Sequence, residues 1–385
     1  MRIVADENIP LLEPFFADIG EIRRVNGRQM TADDVRDADL LLVRSVTPVN
    51  EALLAGSRVR FVGTATIGTD HIDRVWLDGA GIRFSAAPGC NANSVVEYVV
   101  STLSLYAERR GLTDWTDLSV GIVGAGNVGG RLGDTLTRLG FTVRLCDPPR
   151  AAREPDRAAS FVALEDVLAC DVVTLHTPLV RDGDHPTLKL LDAKALDGLH
   201  GGQLLINAGR GEVIDGEALG QRLAAPNPPL VALDVWEQEP RICPALVEQV
   251  WQATPHIAGY SLEGKVQGTE MIYQAACRFL GLPVRKQAGQ FLPEPALSKL
   301  CFTGSADAPG ALWTALRACY DPRQDDARLR RAMAGDTPDA RGLAFDRLRK
   351  HYPVRREWSS VKIQLKGSSR ALQDDFRALG FKLKT

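Results

Sequence analysis

The chain has no apolar stretch approaching the roughly 18 residues of a membrane-spanning helix, so a helical span is excluded. Its opening, Met1-Arg-Ile-Val-Ala-Asp-Glu-Asn, carries acids where a secretory signal would be apolar. The seven cysteines (90, 146, 170, 243, 277, 301 and 319) are scattered and never spaced C-x-x-C. That pattern suggests neither a disulfide framework nor a zinc site, and it fits a reducing compartment. There is no surplus of positive charge: 46 Lys and Arg stand against 48 Asp and Glu, for a net charge of −2. A phosphate backbone or an anionic membrane surface finds no counterpart in such a balance. Internal repeats and low-complexity tracts are absent too. What remains is an ordinary globular composition, 45% hydrophobic and 24% charged, in 385 residues. That length suits two or three domains. The expectation is a cytoplasmic protein with no nucleic-acid, membrane or metal partner.

The most informative stretch is Ser119-Val-Gly-Ile-Val-Gly-Ala-Gly-Asn-Val-Gly129. An apolar run, Val120 to Val123, leads into Gly124-x-Gly126-x-x-Gly129. An amphipathic segment follows from Val128 to Leu139, and a second apolar run, Phe141 to Leu145, ends at Cys146-Asp147. Strand, glycine turn, helix, strand and acid are thus in register. Gly124 permits the tight turn, Gly126 lets backbone approach a pyrophosphate, and Gly129 lets helix and strand pack closely. The N-terminus of the helical segment supplies unpaired N–H groups and a positive dipole end for phosphates. Asp147 lies about 20 residues on, where a carboxylate can bond ribose hydroxyls and repel a 2′-phosphate. The cofactor expected is therefore NAD.

Elsewhere short apolar runs alternate with polar helical stretches. Ile3 to Ala5, Leu40 to Val43 and Phe61 to Gly63 read as strands, while Thr31 to Asp37 and Val49 to Leu54 read as helices. Asn93 to Tyr106 reads as one long helix. Further strand-like runs at Asp171–Leu175, 203–206 and Leu230–Leu233 each end in a polar cluster. Ligands bind beyond the carboxyl ends of parallel strands, so these clusters are the first candidates for chemistry. A helix follows from about Glu263 to Leu280. Gly281 to Pro295, rich in Pro and Gly, reads as a linker. Beyond it lie Arg-rich helical stretches at Asp325–Met333 and Ala344–His351, a strand at Ser360–Leu365 and a terminal helix at Ser368–Leu379. Acids from Asp321 to Asp346 are interspersed with the arginines, which reads as a solvated face.

Oxidising an alcohol by hydride removal requires a base for the hydroxyl proton and a cation for a neighbouring carboxylate. Histidine suits the first role and arginine the second. Of the six histidines, His185, His200 and His351 sit in polar surroundings that suit solvated surface. His71, His176 and His256 remain open, and His256 follows a proline in a Gly-bounded loop. Arg210 lies between two glycines at a strand end. Glu237 and Glu239 both follow the next strand, and either could orient a histidine.

Asn207-Ala-Gly-Arg-Gly211, Asp234-Val-Trp-Glu-Gln-Glu-Pro240 and Thr254-Pro-His-Ile-Ala258 resemble the strand-end motifs of the D-isomer-specific 2-hydroxyacid dehydrogenases. The resemblance spans residues 1 to about 285. It implies that Arg210, Glu239 and His256 are catalytic, the family's acid directly preceding the proline. It implies NAD contacts at Gly124, Gly126, Asn127, Val128, Gly129, Asp147, Thr177, Ala208, Gly209, Arg210, Asp234 and Gly259. The fold it implies is α/β, with two Rossmann-like doubly wound parallel-sheet domains and a small C-terminal α+β domain for homodimerisation. Residues 1–93 with a return segment 257–285 would form a substrate domain, 94–256 the NAD domain and 286–385 the dimerisation domain. The active site would lie in the cleft between the first two. Within the family, Ala5–Pro10, Val43–Thr47, Gly63–Asp73, Pro88–Ala92 and His256–Gly264 are similar to members that act on a phosphorylated polyhydroxy acid. That likeness implies substrate contacts at Ser45, Thr66 and Tyr260, with Arg44 a further partner for phosphate or carboxylate. Another family enzyme, such as a phosphoglycerate dehydrogenase, and an NAD-sensing corepressor on the same scaffold stay open as alternatives.

Overall fold

The computed structural model describes residues 1–335, 337–367 and 369–384. The chain divides into two compact units, residues 1–91 with 260–294 and residues 92–259 with 295–385.

The first unit holds five parallel strands, β1 (Arg2–Asp6), β2 (Glu21–Val25), β3 (Leu40–Val43), β4 (Phe61–Thr64) and β5 (Arg83–Ser85), ordered β2-β1-β3-β4-β5. β3 and β4 are buried throughout, as expected of central strands covered on both faces. Apolar layers lie on both faces of the sheet. Leu12, Phe15, Phe16, Ile272 and Tyr273 pack with Ile3, Leu40 and Phe61 in one, and Val35, Leu53, Ile72 and Leu77 pack with Leu41 and Val62 in the other. The helix Leu262–Leu280 supplies Ile272 and Tyr273. The stretch expected as a linker is pinned to this core. Phe291 lies 5.2 Å from Phe15, and Lys286 donates to the Phe15 carbonyl at 3.0 Å.

The second unit holds six parallel strands, β6 (Ser119–Val123), β7 (Thr142–Cys146), β8 (Val172–Leu175), β9 (Leu204–Asn207), β10 (Leu230–Leu233) and β11 (Gln252–Ala253), ordered β11-β10-β9-β8-β6-β7. A single parallel bridge from Leu145 to Phe161 extends the sheet beyond β7. This is the doubly wound nucleotide-binding arrangement, its winding reversing between β6 and β8. The long helix Ala92–Arg109 is buried on nearly every side, including Glu97, Ser101 and Thr102.

The reason for that burial is the C-terminal segment. It forms three parallel strands, β12 (Lys299–Phe302), β13 (Lys362–Leu365) and β14 (Lys382–Leu383), with helices between them. Its Leu316, Tyr320, Trp358, Phe376 and Phe381 share one apolar cluster with Tyr98, Val120, Ile122 and Leu132. Burial of each large side chain contributes roughly 1.5–3 kcal/mol. The acidic and basic residues expected on a solvated face are instead structural in part. Asp325 is 2% exposed and accepts from Tyr320 and Tyr352 at 3.1 and 2.7 Å. Asp326 accepts from the Ala253 N–H at 2.7 Å, closing the edge of β11. Arg330 donates to the Val247 and Val250 carbonyls at 2.6 and 2.9 Å. The terminal helix runs Arg370–Ala378 with Ser369 as its cap; Ser368, expected as its first residue, lies outside the described residues. Among the described residues no helix is long and apolar enough to cross a membrane.

Candidate active site

Three parallel neighbours, β9, β10 and β11, end in the turns that carry Arg210, Glu239 and His256. After β9, the buried Asn207 ties the turn together: its side-chain amide donates to the Arg210 carbonyl at 2.9 Å, and its oxygen accepts from the Gly209 N–H at 3.0 Å. A Cβ on Gly211 would lie 2.0 Å from the Trp236 carbonyl carbon. Only glycine lets the Arg210 turn press against the loop that leads to Glu239.

In that loop the Trp236 N–H donates to Glu239 Oε1 at 3.0 Å, and Glu239 Oε2 lies 2.7 Å from His256 Nδ1. This resolves the choice between the two glutamates, because Glu237 accepts from the Gly216 N–H at 3.3 Å instead. Burial alone would raise the Glu239 pKa, but the His256 charge and hydrogen bond outweigh it, with Arg349 adding to the field. The carboxyl is held below its usual range and stays ionised. With Nδ1–H donated to that carboxylate, the imidazole presents its Nε2 lone pair outward.

His256 sits at φ 57°, in the left-handed region that few side chains adopt. The loop is held there from beneath by Asp234, 1% exposed. Its carboxylate accepts from Thr254 Oγ1 at 2.7 Å, from the Ile257 N–H at 2.8 Å and from the Ala258 N–H at 2.9 Å. The family resemblance marks Asp234 as an NAD contact, and nothing local in the sequence signals this work on the His256 loop.

The glycine turn fits a dinucleotide in its details. Gly124 takes φ 87°, beyond an L-residue's comfort. A Cβ on Gly129 would lie 1.9 Å from the Gly124 carbonyl oxygen, so helix Asn127–Arg138 can reach β6 only with glycine there. A Cβ on Gly126 would meet nothing within 4 Å beyond its chain neighbours, which leaves open space at the helix N-terminus for phosphates. Thr177 Oγ1 is buried without a hydrogen-bond partner, an orphaned group that a bound ligand would satisfy. Asp147 accepts from the Ala125 and Arg150 N–H groups at 2.8 and 2.9 Å, which fixes its carboxylate at the end of β7.

The remaining histidines separate cleanly. His185, His200 and His351 are exposed, as expected. His176 bonds Thr174 Oγ1 at 2.9 Å, and burial pushes its pKa down to about 3, so it is neutral at working pH. In the first unit, His71 Nε2 lies 3.1 Å from Thr64 Oγ1, which in turn lies 2.8 Å from Thr66 Oγ1. Ser45 is exposed just past β3, and Lys265 lies 4.3 Å over the Tyr260 ring. Arg44 Nε sits 3.2 Å from Asp6 Oδ2, a carboxylate with no exposure at all.

Residues 100–258 match the D-isomer specific 2-hydroxyacid dehydrogenase NAD binding domain, and residues 291–380 match a domain of unknown function. An erythronate-4-phosphate dehydrogenase of Marinobacter nauticus is 70% identical over 384 residues, spanning 100% of both chains. The chain belongs to the erythronate-4-phosphate dehydrogenase family. A relative of that name from Pseudomonas aeruginosa is 52% identical over 384 residues, again across 100% of both chains. Among solved structures, a D-lactate dehydrogenase of Aquifex aeolicus with NAD and lactic acid superposes at a TM-score of 0.61 and 20% identity, over 73% of this chain and 96% of that one. An NAD-dependent formate dehydrogenase of Staphylococcus aureus, in complex with NAD, gives 0.59 at 22% identity, over 74% and 98%. At such identities the likeness establishes the fold. Together with the matched domain, it makes NAD the cofactor of the second unit.

Proposed function

We propose that the chain oxidises 4-phospho-D-erythronate to (R)-3-hydroxy-2-oxo-4-phosphooxybutanoate in the route to pyridoxal 5′-phosphate. The observation that carries this reading is the His256–Glu239 pair at 2.7 Å, set on adjacent strand ends beside the Arg210 turn. When bound, NAD would supply the acceptor for the hydride leaving C2. Gly124, Gly126, Asn127, Val128 and Gly129 receive its phosphates, and Asp147 its adenosine ribose. Thr177, Ala208, Gly209, Asp234 and Gly259 line its nicotinamide end. Arg210 grips the substrate carboxylate with its planar fork and polarises the C2 oxygen. His256 Nε2 takes the C2 hydroxyl proton, and the ionised Glu239 stabilises the imidazolium that results. In the reverse direction the same imidazolium returns the proton.

Ser45, Thr66 and Tyr260 supply hydroxyl partners to the substrate. Arg44 holds its phosphate. The buried Asp6 at the end of β1 steadies that guanidinium at 3.2 Å, between the two strands where the first sheet reverses its winding. The protein works in the cytoplasm as a homodimer. The C-terminal segment exposes Leu343 at 66% and Val354 at 75%, apolar surface that a second copy would cover. Sedimentation of the intact chain and of Leu343→Glu tests this, and a dimer in both would move the interface elsewhere.

The deciding experiment follows NADH formation with 4-phospho-D-erythronate, 3-phosphoglycerate and D-glycerate, with and without a 2-oxo acid acceptor. Strong preference for 4-phospho-D-erythronate is expected. Preference for another acid would replace the substrate and keep the chemistry. Bound NADH with no turnover would make the chain a sensor on an enzyme scaffold.

A further inference from the structure

The chain passes between its two units at Asn91–Ala92, at Gly259–Tyr260 and at Glu294–Pro295. Within the second unit, one buried side chain holds the segments next to the first two of these crossings. Arg355, 6% exposed, donates through Nη2 to the Ser94 carbonyl at 2.7 Å and to the Ala258 carbonyl at 2.7 Å. Ser94 lies in the first turn of the long helix, and Ala258 lies two residues beyond His256. The guanidinium is itself stacked, its carbon 4.2 Å over the Tyr320 ring.

The residues that follow continue the grip. Glu357 accepts from Ser94 Oγ at 3.1 Å and from the Asn93 side-chain amide at 3.2 Å, placing a carboxylate at a helix N-terminus. The Trp358 N–H donates to Glu97 Oε1 at 2.7 Å. A second attachment reaches the other catalytic loop. Helix Pro338–Lys350 lies against Pro240 and Arg241, where a Cβ on Gly342 would be 3.3 Å from Arg241 Cγ. Asp339 pairs with Arg241 at 2.8 Å. Phe345, from the same helix, packs in one cluster with Trp236 and Ile242.

The geometry points to a role for the C-terminal domain of unknown function as a clasp on the catalytic loops, with Arg355 the positioning residue that holds the His256 loop against the start of the long helix. A backbone carbonyl gripped by a buried cation is fixed in place, because leaving either partner unpaired in a dry interior is costly. The Ala258 carbonyl is held from one side by Arg355 and its N–H from the other by Asp234. The left-handed turn at His256 is thereby over-determined, as strained functional residues require. The kinetic consequence rests on the reaction proposed above; the structural consequence does not.

The test uses the full chain with Arg355→Gln and Arg355→Lys, read by kinetics, NADH fluorescence titration and amide hydrogen exchange. Arg355→Gln is expected to lower kcat by about tenfold or more, through misplacement of the base, while one NADH still binds per chain. Exchange should quicken in peptides covering 254–259 and 92–97 and stay unchanged over 119–123. Arg355→Lys, which keeps the cation without the fork, should fall between Arg355→Gln and the parent. It serves alone if the glutamine variant does not fold. Parental kcat with unchanged exchange in those two peptides would overturn the clasp. Exchange raised evenly through the unit, with kcat lost only in step with NADH-binding sites, would reduce Arg355 to a packing residue. A parent chain that fails to oxidise 4-phospho-D-erythronate would sink the proposed reaction and leave the exchange result to decide the clasp.

Discussion

In the five-stranded sheet the point where the winding reverses lies between β1 and β3, and there the chain sets an ion pair, Asp6 with Arg44. In the six-stranded sheet the reversal lies between β6 and β8, and there it sets the Gly124 turn. Strand direction and the order of the first strands about the reversal agree, so architecture does not distinguish the two. What differs is the chemistry at the carboxyl ends. The first sheet offers hydroxyls and a cation paired with Asp6, the groups proposed above to recognise the substrate. The second offers the His256–Glu239 pair and the Gly124 turn, the groups proposed above to react or to hold what reacts. On the assignment proposed above, the same winding serves recognition in one unit and catalysis in the other, according to a handful of residues at strand ends.

The contrast predicts separable kinetics. His256→Ala should lower kcat by about 10²–10⁴-fold with NADH affinity nearly unchanged, measured by initial rates and fluorescence titration. A variant near parental turnover would move the base elsewhere and blur the division. Arg44→Met should act on the other side of it, raising KM for 4-phospho-D-erythronate by about 10–100-fold with a smaller change in kcat. Equal losses in kcat with KM unmoved would make Arg44 part of the chemistry and break the comparison. Asp147→Ala should weaken NAD by about tenfold and narrow the preference over NADP, since Arg150 remains within 2.5 Å of the Ala125 carbonyl to meet a 2′-phosphate. An unaltered cofactor ratio would remove Asp147 from that role.

The smallest effect concerns stability. His176 is neutral in the folded chain, its pKa lowered by burial to about 3, so the unfolded chain binds the extra proton as pH falls below the ordinary value. Folding stability therefore declines with falling pH across that window. His176→Asn should flatten the decline by up to about 2 kcal/mol between roughly pH 6.5 and 4.5, read from urea unfolding. An unchanged slope would show that the ring is solvated.

Legibility in the sequence followed the range of the interactions. The glycine turn, the strand-end motifs and the long helix are local patterns, and they read clearly. The edge strands other than β7 did not. β2 is Glu-Ile-Arg-Arg-Val, largely exposed, and has no apolar run to betray it. Asp326 and Arg330 read as surface because nothing local shows that the Ala253 N–H and the carbonyls of Val247 and Val250 need partners. The same holds for Asp234, whose work beneath the His256 loop depends on donors more than 18 residues away in the chain. The left-handed backbone of His256 has only a weak signature, since histidine is enriched among non-glycine residues there but seldom adopts it. Charged residues that end up satisfying distant backbone look, in sequence, like solvated ones.

The interleaving of the two units has a consequence in time. The first sheet cannot cover the face that Ile272 and Tyr273 protect until residue 280 or so has emerged, although its last strand ends at Ser85. The second cannot bury Val120 and Ile122 fully until Trp358, Phe376 and Phe381 exist. A chain growing at about 5–20 residues per second thus carries two unfinished cores for many seconds, the earlier unit completed only shortly before the later one. Assembly of this protein is concentrated in the last third of its synthesis, and that interval is when holding factors would matter most to it.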